Sequence, residues 1–308
     1  SYVFFVGAFA ALTVLYELNV GRVVFVDPTV YYWNGSNANI FRPGGVFGSP
    51  PAASTVLTLT ALCGLPLVRQ CQGWQRGMVV FGMALTLLAV LATFTRAALI
   101  AFALALIAYL WLTRSPVLKP RYVLPALIVC TLTFVVLFPR LERETTVSQG
   151  VLRQGTFSAR VDYWQLALPI ATSSVQNLLV GIGTAAAEVP TIGGSAPSKL
   201  AASPDLINHG THNQYVHTFL EQGLVGLLAL LAWLITTIAT AARYAYTRNN
   251  RNAAALAAGG LAFAVIMVVN NVILNAPSLA MGMLISGMIV ALNEQSRPMN
   301  MTRDQEFP

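Results

Sequence analysis

The chain has 308 residues, 56% of them hydrophobic and 9% charged, with a formal net charge of +7 and a mean hydropathy of +0.65. Soluble domains carry roughly 25% charged residues, so this composition excludes an ordinary water-soluble globule. The positive charge then bears on membrane topology and not on nucleic acid. Cys63, Cys71 and Cys130 lie in apolar runs or a short basic loop and offer neither a disulfide framework nor a metal-ligand spacing.

A bilayer core is crossed by roughly 17–25 mostly apolar helical residues. In chain order such runs fall at 2–18, 53–68, 77–94, 97–112, 123–138, 223–242, 253–275 and 278–293, several of them short enough to extend into their flanks. The expected fold is an all-α polytopic membrane protein with about eight transmembrane helices. Ser1 opens the chain with neither Met nor a basic segment ahead of the apolar run. This is unlike a signal peptide, and further N-terminal residues, even whole spans, are expected to precede it.

The stretch 77–112 is apolar except for Arg96. As one helix it would run ~54 Å, too long for the membrane, so two helices meeting at Thr95-Arg96 are expected. Alternation then gathers 69–76, 113–121, 243–252 and 294–308 on one side, with Arg69, Arg76, Arg114, Lys119, Arg121, Arg243, Arg248, Arg251, Arg297 and Arg303. By the positive-inside rule that side is cytoplasmic. The other side receives 19–52 and 139–222, dividing the chain into three parts. Residues 1–138 hold five helices and the loop 19–52, 139–222 form one large loop region with short helices, and 223–308 hold three helices and a cytoplasmic tail. No internal repeat suggests a transporter of two halves.

All three histidines, His209, His212 and His217, fall within nine residues of the large loop. Thr211 and Gln214 fit a capping box, which would make His212 the first residue of the helix leading into the sixth span. The positive end of the helix dipole disfavours imidazolium there. A neutral imidazole can serve as a general base, or simply as an interfacial histidine bonded to loop backbone. His-x2-His-x4-His fits no familiar zinc motif and lacks an obvious fourth ligand.

Arg96 stands between two apolar spans, where a deep cation costs roughly 2.5–3.5 kcal/mol and a shallow one little. Arg160 follows Ser158, a plausible N-cap, in the first turn of a helix expected through Trp164 and Leu168. A cation there opposes the helix dipole, and an anion held between arginine and backbone amides would relieve the conflict. The planar guanidinium suits phosphate oxygens, although ion pairs with Asp162, Glu142 or Glu144, or lipid headgroup contacts, are the plainer reading of either arginine alone. Arg42 opens Arg-Pro-Gly-Gly, a rigid turn into the second span, and is a further candidate for phosphate or sugar. Tyr31, Tyr32 and Trp33 read as interfacial aromatics or a sugar-stacking surface. Gly181-Ile182-Gly183 is too short for a nucleotide loop.

Together these residues resemble the O-antigen ligase and polymerase superfamily. His212-Asn213-Gln214-Tyr215 followed by Glu221-Gln222-Gly223-Leu224-Val225-Gly226 is similar to its signature, an outer-face His-Asn leading into Gly-Leu-x-Gly. Arg42 to Pro51 resembles its Arg-x-x-Gly-x-x-x-x-Pro turn, and Thr95-Arg96-Ala97-Ala98 its Ser-Arg-Gly-Ala element, with Thr for Ser. Arg160 with Trp164, ahead of Leu179 to Gly183, resembles its Arg-x-x-x-Trp and Gly-x-Gly stretch. The eight spans fall short of the family's ten to twelve.

The resemblance implies a GT-C-like, inverting, metal-independent glycosyltransferase without a cofactor, in the bacterial inner membrane with its site facing the periplasm. Its donor would be an O-antigen glycan on undecaprenyl diphosphate and its acceptor lipid A-core oligosaccharide, with membrane lipids around it and no nucleic acid. Arg96 and Arg160 would bind the diphosphate, and His212 would activate or orient the acceptor hydroxyl. Arg42, Asn213, Tyr215, Trp164 and His217 would contact substrate. An O-antigen polymerase or a protein O-oligosaccharyltransferase shares this chemistry. A transporter or flippase of an anionic lipid should carry more mid-span ionisable groups than Glu17 and the polar pair Asn270-Asn271.

Overall fold

A computed structural model describes residues 2–26, 41–114, 164–165, 167–183, 212–270 and 276–295. The described residues form helices, turns and loops with no strand. The principal helices are α1 (Tyr2–Val20), α2 (Pro50–Gln70), α3 (Gly73–Ala92), α4 (Arg96–Leu112), the short α5 (Val175–Val180), α6 (Gln214–Arg248), α7 (Arg251–Met267) and α8 (Ala276–Gln295). By length and composition α1, α2, α3 and α6 are each long and apolar enough to cross a membrane, and α4, α7 and the stretch Ser278–Ala291 of α8 are shorter apolar helices.

Local chemistry sets the helix ends. Ser49 caps α2 by accepting from the Ala52 amide at 3.3 Å, and Pro50 and Pro51 occupy the first turn, where no amide hydrogen is needed. Asn250 caps α7 through the Asn252 and Ala253 amides. The expected break within 77–112 is present: α3 stops at Ala92, Phe94 takes a left-handed φ of 53°, and α4 starts at Arg96 with Thr95 as its N-cap. An uninterrupted helix would have carried Arg96 inside the apolar stack; the turn brings it to a helix end.

Two expected boundaries need correction. The helix leading into the sixth span begins at Gln214 rather than His212, and Gly223, where the span was expected to open, marks a break inside it, at φ 64° and ψ −162°. The seventh stops at Met267 with a turn through Asn270, short of 275, where polar Asn270 closes the apolar run. The expected span at 123–138 lies outside the described residues.

Helix α2 is the centre of the bundle, packing against α1, α3, α4, α7 and α8. Lipid tails are as apolar as leucine, so close packing holds such helices together, and small residues permit it. Ala253 to Gly260 on α7 are all buried. Methyl groups built on Gly64 and Gly82 would press into Phe4. The outer surface is apolar, with Phe5, Phe9, Phe81, Ile100, Leu228 and Ile235 exposed. Such a belt is what a bilayer covers.

Neighbouring helices alternate in direction, which sorts their ends into two sets. Gln70 Nε2 donates to Asn252 Oδ1 at 3.1 Å, joining the end of α2 to the start of α7. At the same end the Arg114 guanidinium lies 4.5 Å from the Tyr246 ring centre. Arg69, Arg76, Arg243, Arg248 and Arg251 belong to this basic end. The opposite end carries the end of α1, the starts of α2, α4 and α6, and the end of α7.

Candidate functional site

The non-basic end has two parts. The first is built on α1. Glu17 is fully buried and accepts four backbone hydrogen bonds. Its Oε1 takes the amides of Val24 (2.9 Å) and Phe25 (3.3 Å), and its Oε2 those of Gly44 (3.1 Å) and Gly45 (2.7 Å). Gly45 has φ 54° and lies against Thr13 and Val14, so a side chain would both strain the backbone and collide with α1. Thr13 Oγ1 accepts from the Val46 amide.

Arg42 stands just before this clamp. Its Nε donates to the Thr93 carbonyl (2.9 Å) and its Nη2 to Thr95 Oγ1 (3.1 Å). The residue expected to meet substrate thus commits two donors to the α3–α4 turn. Thr95 makes no side-chain cap for α4. Arg96, the next residue, is exposed in the first turn of α4, at a helix end rather than in mid-span.

The second part is the start of α6. Asn213, not Thr211, is the N-cap: its Oδ1 accepts from the Tyr215 and Val216 amides at 2.9 and 3.2 Å. The expected capping box is therefore corrected. Asparagine is among the strongest N-caps, and it displaces the helix start by two residues. His212 precedes the helix in a left-handed conformation, φ 49°, and is half-buried. Tyr215 ties α6 to α7 by donating its hydroxyl to the Ala264 carbonyl at 2.9 Å.

Below the cap, α6 presents a buried polar face of Gln214, His217, Thr218 and Glu221. Gln214 Nε2 donates to Thr218 Oγ1 at 3.3 Å. His217 Nε2 lies 3.3 Å from Glu221 Oε2, with both side chains nearly inaccessible. Among the described residues neither His217 nitrogen has a well-formed hydrogen bond, and Glu221 Oε1 has none. Buried polar atoms are rarely left this way.

Beyond Glu221 the helix breaks at Gly223, and the segment after α5 enters the gap. The Ile182 and Gly183 amides donate to the Leu220 and Glu221 carbonyls, both at 3.0 Å. A continuous helix would offer those carbonyls to residues 224 and 225, four positions on, so the incoming segment replaces two rungs of the ladder. Gly181 and Gly223 make this possible, since a methyl group on either would fall inside the facing backbone. This explains the Gly-Ile-Gly run that no nucleotide loop accounted for.

Connectivity brings the two parts to the same end. The start of α2 lies with the α1 clamp, α2 and α7 run antiparallel through Gln70–Asn252, and Tyr215 fastens the start of α6 to the α7 segment near its end. Arg42, Arg96, His212, Asn213 and Tyr215 therefore lie at the same end of the bundle, with His217 buried a turn inside α6. Trp164 is half-buried in a helical turn. Arg160 and Tyr31 to Trp33 lie outside the described residues. Among the described residues no three His, Cys, Asp or Glu side chains gather closely enough to hold a metal ion. Sequence reasoning quoted Glu221 only as the opening of the Gly-Leu-x-Gly stretch, gave it no role, and noted Glu17 only as a rare mid-span charge. The signals were present: Glu221 lies one helical turn from His217, and a lone carboxylate in an apolar span is a functional candidate by default.

The fold and this face define a polytopic helical membrane protein with cationic and imidazole groups at the end remote from its basic loops. Residues 81–231, which include Arg96, His212, Glu221 and Gly223, match the O-antigen ligase family, and that match supports the resemblance to the superfamily of O-antigen ligases and polymerases. No curated protein matches the chain significantly.

Proposed function

We propose that this protein is an O-antigen ligase, an inverting, metal-independent glycosyltransferase moving an O-antigen glycan from undecaprenyl diphosphate to lipid A-core oligosaccharide. The observation that carries the reading is that one family match spans both Arg96 and His212, whose helix starts lie at the same end of the bundle. In this reading the fold is a GT-C-like arrangement of about eight spans in the bacterial inner membrane, with the basic end cytoplasmic and the opposite end periplasmic.

The donor already carries its leaving-group charge, so catalysis needs positioning and electrostatic stabilisation more than chemical activation. Arg96 offers a planar fork to the diphosphate oxygens, and the first-turn amides of α4 add the partial positive charge of a helix start. Arg160 supplies a second guanidinium. The acceptor oxygen attacks the anomeric carbon opposite the departing diphosphate, which inverts that centre. His212 takes the hydroxyl proton as the new bond forms, and the lipid diphosphate leaves with the electron pair of the broken bond. Asn213 fixes His212 by capping α6, and Tyr215, Trp164 and His217 line the acceptor side.

The test is reconstitution with lipid-linked O-antigen, offering lipid A-core, a second lipid-linked glycan and a Ser/Thr peptide in parallel. Labelled lipopolysaccharide supports the ligase. Product on the second lipid-linked glycan makes it a polymerase, and glycopeptide a protein O-oligosaccharyltransferase. Lipid movement across the bilayer without any product would overturn glycosyl transfer in favour of a transporter.

A further inference from the structure

We propose that Glu17 is a positioning residue for the donor site, acting through Arg42 and the Thr93–Thr95 turn on Arg96. The proposal rests on the reading of Arg96 as a diphosphate contact and adds a residue from outside the matched segment 81–231.

The two oxygens of Glu17 are divided between two stretches of chain. Oε1 holds Val24 and Phe25, just after α1, and Oε2 holds Gly44 and Gly45, just before α2. Each oxygen receives two consecutive amides, the arrangement by which backbone cradles an anion. Both ends of the segment between α1 and α2 are thereby pinned to one buried point. Arg42 lies two residues before Gly44, so the clamp sets where its side chain starts. The side chain then reaches Thr93 and Thr95 at 2.9 and 3.1 Å, closing α3 and occupying the hydroxyl that would otherwise cap α4. Arg96 follows directly. An unbroken series of contacts thus runs from a carboxylate on α1 to a guanidinium on α4.

Glutamine cannot replace the carboxylate. It has one acceptor oxygen, and its NH2 group would face two amide donors. Glu17→Gln therefore releases one of the two anchored stretches while conserving volume. Aspartate keeps both oxygens and should rescue part of the effect.

The experiment measures undecaprenyl diphosphate binding and donor KM for purified full-length wild type, E17Q, E17D, R42A and the E17Q/R42A double variant. Backbone hydrogen exchange across residues 93–97 is followed in parallel. E17Q should weaken lipid-diphosphate binding on the order of tenfold, the scale of one lost charged hydrogen bond. Donor KM should rise with acceptor KM unchanged, and E17D should fall between E17Q and wild type. The double variant should be no worse than R42A, because residues acting in series are not additive. E17Q should also speed exchange at 93–97, more than fifty residues away in sequence. If E17Q fails to insert, Thr95→Val breaks the far link without touching the carboxylate and carries the same binding prediction. Additive effects of E17Q and R42A, unchanged exchange at 93–97, or an equal rise in acceptor KM would overturn the proposal. A wild type that binds no lipid diphosphate, with exchange still coupled, would overturn the donor reading and leave the coupling intact.

Discussion

At the α1–α4 end, a fully buried carboxylate meets four amides and a guanidinium bridges two threonines, so Glu17 and Arg42 both find complementary partners. At the start of α6, a few residues beyond the His212 turn, the His217 nitrogens and Glu221 Oε1 are buried with no hydrogen bond formed among the described residues. A satisfied network stiffens its surroundings, whereas unsatisfied polar atoms cost stability and persist where they serve something else. The first region is a brace; the second keeps bonding capacity in reserve beside the proposed base.

The variant with the largest expected effect is His212→Ala. Removing a general base typically costs 10²–10⁴-fold, so transfer should fall at least about 100-fold while undecaprenyl diphosphate still binds. Full activity in the reconstituted assay would remove His212 from the chemistry. Gly223→Ala comes next. It adds a methyl group at φ 64° where the facing backbone of Leu179 already stands, and should cost about 3 kcal/mol, read as lost thermal stability in detergent and early proteolysis between α5 and α6.

The comparison itself is sharpened by the double variant His217→Leu/Glu221→Leu. Replacing both members of an unsatisfied buried pair with apolar groups should be neutral or stabilising, by about 1 kcal/mol, while transfer declines. A marked loss of stability would show the pair to be structural. The smallest effect is expected at the basic end. Arg114→Ala removes a guanidinium over Tyr246, worth about 0.5–1 kcal/mol, and should leave transfer rates unchanged.

Features that depend on neighbouring residues were readable in the chain. Apolar runs located seven of the helices because lipid exposure and tight packing demand the same residue types, and Arg96 betrayed the α3–α4 break because an unbroken helix would have overrun the bilayer. The start of α6 was misread by two residues because Thr211 and Asn213 are both competent caps, and local sequence does not choose between them. What stayed hidden joins distant positions. The donors to Glu17 include Gly44 and Gly45, and Gly181 meets the Glu221 backbone forty residues on. Neither pairing leaves a periodic trace. Arg42 was recognised as special for the right motif, but its partners at Thr93 and Thr95 become apparent only once α3 and α4 are folded.

The Glu17 clamp also constrains the order of biosynthesis. Its donors emerge 7, 8, 27 and 28 residues after it, so the nascent α1 enters the bilayer with a carboxylate whose second oxygen has no amide to receive. That debt is settled only as Gly44 and Gly45 arrive, immediately ahead of Pro50. The clamp is therefore completed only when α1 and the approach to α2 are both in place.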